Sequence, residues 1–153
     1  MTPQAVLRSI AYTDPLDAVH ALLIERAAKI FAPGQLVPLL GDGDARLRNA
    51  AADVLVIAGD AAVPLLLEMS KESDSRGAIM AVHTLTRIAT PAAGAAIAAT
   101  LDAATDVNVL HAAIEGVALL SVTAARPRLR SLTSTDEWLS FAAANALEML
   151  ATE

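Results

Sequence analysis

Asp44-Ala-Arg-Leu-Arg-Asn-Ala-Ala-Ala-Asp-Val-Leu-Val-Ile-Ala-Gly59 is followed thirty residues later by Asp74-Ser-Arg-Gly-Ala-Ile-Met-Ala-Val-His-Thr-Leu-Thr-Arg-Ile-Ala89. In both, an aspartate precedes apolar or small residues that recur with helical spacing. The same ruler extends to Asp14, Asp106 and Asp136, so successive aspartates stand 30, 30, 32 and 30 residues apart. Internal periods of this length mark a chain built from one helical unit stacked repeatedly. Counting from each later aspartate, Ala51, Ala81, Ala113 and Ala143 lie seven residues on, and Leu55, Leu85, Val117 and Leu147 lie eleven on. Ala58, Ile88, Leu120 and Leu150 lie fourteen on. These offsets share one face of a 3.6-residue helix, which predicts a buried stripe repeated in each unit.

A second helix is expected before each aspartate. Val37-Pro38-Leu39-Leu40 is matched by Val63-Pro64-Leu65-Leu66, and Pro127 stands comparably before Leu129 and Leu132. Proline is tolerated only in a first helical turn, so Gly34, Asp60 and Thr123, four residues earlier, are the candidate caps. Thr90-Pro91, Thr2-Pro3 and Asp14-Pro15 read as a cap followed by proline at the first helical position. The alanine-rich stretch 92–104 keeps Ile97 and Leu101 at helical spacing and reads as a thin packed helix. The unit is thus helix A, turn, aspartate, helix B.

These copies resemble the HEAT-repeat family, in particular the short form of roughly 30 residues found also in phycobilin lyase subunits. The resemblance covers residues 34–151, and it departs from the pattern where the glycine closing helix B, kept at Gly59, becomes Ala89, Ser121 and Ala151. It implies an all-α fold: a right-handed superhelix of about four helix pairs whose B helices line a concave binding face. The expected division is one domain, 1–153, with an N-terminal capping pair over 1–33 and repeats over 34–59, 60–89, 90–121 and 122–151. In the cap, Val6, Leu7 and Ile10 suggest a short helix, and Asp14-Pro15 opens a longer one ending near Ile30-Phe31. Glu25 and Lys29 stand there where later units carry apolar or small residues, as a terminal unit's wet face requires.

Hydrophobic residues make up 55% of the chain and aromatics 3%, so alanine and branched aliphatics must fill the core through close helix contact. A net charge of -6 argues against nucleic acid as the partner, because a phosphate backbone calls for a basic stripe. The chain has no cysteine, which excludes disulfides, thiolate catalysis and cysteine metal sites. With neither an N-terminal signal pattern nor an unbroken apolar run of about 18 residues, a cytoplasmic protein without membrane contact is expected.

Recognition is expected on the outward positions of the B helices. Two, five and nine residues past each aspartate lie three columns. They are Arg46, Arg76, Asn108 and Trp138; then Asn49, Ile79, His111 and Phe141; then Asp53, His83, Glu115 and Asn145. Trp138 and Phe141 read either as a binding hot spot or as packing over the open C-terminal end. His83, His111 and Glu115 hold a loose metal-ligand spacing, but a solvated polar stripe is the reading taken, and neither metal nor cofactor is expected. Arg126, Arg128 and Arg130 read as a solvated outer face. Gly41-Asp42-Gly43 is a turn, not a phosphate loop, and no catalytic constellation is spaced for assembly. The expected function is therefore a non-catalytic scaffold or adaptor for a protein client, monomeric or weakly self-associating through its C-terminal end. The alternative is an accessory subunit of a lyase-type enzyme acting on a cofactor or modified protein.

Overall fold

A computed structural model describes residues 1–152, and among these the only regular secondary structure is helical. The helices are α1 (Pro3–Ala11), α2 (Ala18–Ile30), α3 (Pro33–Leu36), α4 (Ala45–Ala58), α5 (Val63–Ser70), α6 (Ser75–Ile88), α7 (Pro91–Ala103), α8 (Val107–Leu119), α9 (Arg126–Leu132) and α10 (Glu137–Ala151). Short 3-10 turns at Val37–Gly41, Gly59–Ala62 and Thr123–Ala125 join some of them.

Asp44, Asp74, Asp106 and Asp136 each sit at the N-cap of α4, α6, α8 and α10 in extended backbone. Their carboxylates accept from the free amides of Arg46, Arg76, Asn108 and Leu139 at 2.8–3.1 Å. A helix start leaves its first amides without carbonyl partners, and a short carboxylate one residue outside supplies one. Thr2 and Thr90 cap α1 and α7 in the same way, each with proline at the first helical position.

Four expectations are corrected. Asp14 caps no helix: it accepts from Leu16 in a turn, and Asp17, three residues later, caps α2. Gly34 lies inside α3, and Ala32 precedes that helix. Asp60 and Thr123 lie in 3-10 turns that lead into α5 and α9, whose first α-helical residues, Val63 and Arg126, follow caps without a side-chain hydrogen bond. The prolines still occupy first turns, so the constraint on Pro64 and Pro127 holds while the capping device differs. No unbroken apolar run of about 18 residues occurs, although the stretch Ala45–Ser70, broken by Asp53 and Asp60, is long and apolar enough to cross a membrane by length and composition alone. It is two helices, parted at Gly59, and much of it is buried inside the protein.

The repeated stripe is the core. Ala51, Ala81, Ala113 and Ala143 are fully buried, as are Leu55, Leu85, Val117 and Leu150, while Leu147, Ala58, Ile88 and Leu120 are half-buried at the edge. Helix α4 packs on α6, α6 on α8 and α8 on α10, with α1 and α2 against α4 at one end and α9 against α10 at the other. Between them α5 packs on α6 and α7, and α7 on α8. Alanine at the crossing lets helix axes approach closely. Contact is close at Gly116 of α8, where a Cβ would meet Thr86 Oγ1 at 2.7 Å and Ile97 Cγ2 at 3.1 Å.

Polar ties join residues one repeat apart. Ser70 and Thr100, both buried, share a 2.7 Å hydrogen bond, and the Ser75 hydroxyl donates to Asp106 at 2.7 Å. Thr90 donates to the Asp60 carboxylate. Three bonds spanning 30 or 31 residues make the period of the sequence also a spatial neighbour relation.

Candidate functional site

Most of the expected columns face solvent, with Ile79 and His111 only partly exposed and Asp53 drawn into an ion pair. Asp53 of α4 accepts from Arg87 of α6 at 2.7 Å, bridging neighbouring B helices. The Arg46 guanidinium lies over the Tyr12 ring, 5.2 Å from its centroid. Ile79 packs against the core edge. Asn49, Arg76 and Asn108 are exposed and line neither of the two grooves that gather the others.

Two grooves gather part of the set. Between α8 and α10 a cavity of about 300 Å³ is floored by Ile114, Ala118, Ala142 and Ala146 and walled by Leu119 and Met149, with His111, Glu115 and Asn145 at its polar points. Between α6 and α8 a second, of about 390 Å³, is bounded by His83, Thr86, Arg87, Ala112, Glu115 and Gly116. Glu115 stands on the ridge between the two. Trp138 stacks on His111 across α8 and α10, with ring centroids 5.2 Å apart and planes at 24°, yet keeps 63% of its surface exposed. Phe141 is 69% exposed and lines neither groove. The two rings, three residues apart and about 60° apart around the helix, share one side of α10, but only Trp138 stacks on α8.

Leu119, Met149 and Arg87 were not among the expected residues. Each lies thirteen residues beyond its capping aspartate, as does exposed Ile57, so a fourth column continues the series of two, five and nine. Its signal was the next i+4 step on the same helix face.

The arginine cluster is also corrected. Arg126 donates to the Leu150 carbonyl at 2.6 Å and Arg128 Nε to the Leu101 carbonyl at 3.1 Å, both half-buried. They close the C-terminal ends of α10 and α7, where carbonyls lack helical donors and a positive charge suits the helix dipole. Arg130 alone remains an exposed surface residue.

Among the described residues no three His, Asp or Glu side chains gather closely enough to hold a metal ion. A larger depression lies at the turns between Ser70–Ser75 and Thr100–Asp106, where Ser70 is bonded to Thr100 and Ser75 to Asp106. The Ser75 hydroxyl, followed by the Val109 and Asn108 amides, holds the Asp106 carboxyl below the usual carboxylate range. Compared with known proteins, the chain matches no family model and no curated protein sequence.

Proposed function

We propose that the chain is a HEAT-like α-solenoid, right-handed and non-catalytic, that binds a protein client along the face presented by α4, α6, α8 and α10. One observation carries this reading: the α8/α10 groove has an apolar floor, exposed Leu119 and Met149 walls and a half-uncovered indole beside it. An apolar cleft with a few placed polar groups suits an inserted side chain. Exposed aromatic surface held in place by stacking gives contact area at little entropic cost. Glu115, His111 and Asn145 then supply orientation rather than chemistry, and they sit on α8 and α10.

The test is affinity capture from the native host with wild type, Trp138→Ala and Ala142→Trp, the last filling the groove from its floor. Truncating a hot-spot aromatic costs about 2 kcal/mol or more, roughly thirtyfold in affinity. Both variants should lose the client while keeping the wild-type circular dichroism. A folded Ala142→Trp that captures the same client as well as wild type would remove the groove from the binding site.

A further inference from the structure

Apart from Leu65 and Val107, the remaining large exposed apolar side chains lie towards the two ends of the helix array. At one end, Leu16, Val19 and Leu22 are exposed on or just before α2, whose opposite face, with Ala27 and Ile24, packs inward against the core. At the other, Phe141 projects from α10 directly opposite its buried stripe of Leu139, Ala143, Ala146 and Leu150. Among the described residues α2 has α1 and α4 on its inner side and α10 has α8 and α9 on its inner side, with no element packed on either outer face.

The outer faces are complementary in charge except at Glu25, which is also exposed on α2. On α10, Glu137 and Glu148 flank Phe141 and Ala144; on α2, Arg26 and Lys29 follow Val19 and Leu22. None of these four charges is in an ion pair among the described residues. Glu148 and Lys29 each lie twelve residues beyond their helix's capping aspartate, Asp136 and Asp17. Two parallel helices in the register of the internal stack would therefore bring acid and base to the same height within a turn. Asp53 and Arg87 already make such a cross-helix pair between α4 and α6. An isologous α10–α10 contact would instead oppose like charges.

We propose that the protein associates head to tail with further copies of itself, the outer face of α10 in one copy seating on the outer face of α2 in the next. Such a contact is heterologous, so it leaves a free α10 face and a free α2 face at each step and continues unless the rotation closes a ring. The inference is independent of the client site, because Phe141, Glu148 and Leu22 line neither groove.

Sedimentation equilibrium on the full chain, up to millimolar concentration, tests it with Leu22→Glu and Phe141→Glu, both at exposed positions and checked for folding by circular dichroism. Wild type should exceed the monomer mass of 15.8 kDa increasingly with concentration. Each variant alone should stay monomeric, and an equimolar mixture should rise to twice that mass and stop, since each retains one sound face. Lys29→Glu and Glu148→Lys should likewise self-associate less than wild type when alone and recover when mixed. A wild type monomeric throughout overturns the proposal. So does a Leu22→Glu variant that associates like wild type, which would mean α10–α10 pairing, or a mixture that fails to pair.

Discussion

Exchanging glycine and alanine at two equivalent helix ends should shift stability in opposite directions. Fifteen residues past their caps, Gly59, Ala89 and Ser121 have φ of 64°, 59° and 56°. Ala89 has ψ 24°, the left-handed helical conformation, and its amide donates to the Leu85 carbonyl at 3.2 Å. A Cβ in that conformation costs roughly 1–2 kcal/mol, while glycine loses about 0.4–1 kcal/mol more backbone entropy on folding. Ala89→Gly should therefore stabilise the protein by about 0.5–1 kcal/mol. Gly59 differs in ψ, -135°, which takes it out of the left-handed helical well into territory that glycine alone occupies readily. No atom lies within 4 Å of a Cβ built there, so the cost of Gly59→Ala is backbone strain alone. Strain of about 1–3 kcal/mol, less the entropy recovered, predicts a net loss of about 1–2 kcal/mol. Urea denaturation reads both as shifts in midpoint at unchanged slope. If Ala89→Gly instead destabilises by about 1 kcal/mol, as glycine does within a right-handed helix, the assigned end of α6 is wrong.

Three further outcomes follow from the packing. Leu85→Ala, at a fully buried position of the repeated stripe, should cost about 2–5 kcal/mol in the same assay, and a loss below about 0.5 kcal/mol would misplace the core. Arg126→Ala should cost about 1–2 kcal/mol through the Leu150 carbonyl left without its charged donor, whereas Arg130→Ala should be near neutral; equal effects would sink the end-closing role. The Asp106 pKa is lowered on folding, so its stabilising contribution is present at neutral pH and lost as pH falls through that lowered value. Ser75→Ala should move the pKa up in a carboxyl-carbon NMR titration, and an unmoved titration would remove the hydroxyl as its main cause.

What the sequence made legible was local. Four aspartate caps, two threonine caps and most of the buried stripe depend on neighbours within a turn or two, and stand where the spacing put them. Asp14 misled because Asp14 and Asp17 are both good caps three residues apart, and Pro15 suits the second position of a turn as well as the first of a helix. Arg126 and Arg128 misled because their acceptors lie 24 and 27 residues away, beyond any periodic signal. The positive φ at Ala89 and Ser121 was hidden for a related reason: the position keeps φ near that of Gly59 after losing the glycine that advertises it.

Which neighbouring B helices leave an open apolar groove depends on the residues nine and thirteen past their caps. Between α4 and α6 these are Asp53 and Arg87, and the ion pair spans the gap. Between α8 and α10 the same two positions hold Glu115 and Met149, which cannot pair, so the carboxylate stays on the ridge and the thioether forms a groove wall. Met149→Arg should then reproduce the α4/α6 arrangement, lay a guanidinium across the groove and close it. Because an exposed pair contributes only about 0–1 kcal/mol, stability should hardly change while client capture falls. Adding Glu115→Ala removes the anchor, and a double-mutant cycle on urea stability should give a coupling of about 0.2–1 kcal/mol. Zero coupling would show that the two positions do not meet across α8 and α10, and the equivalence of the helix pairs would fail with it.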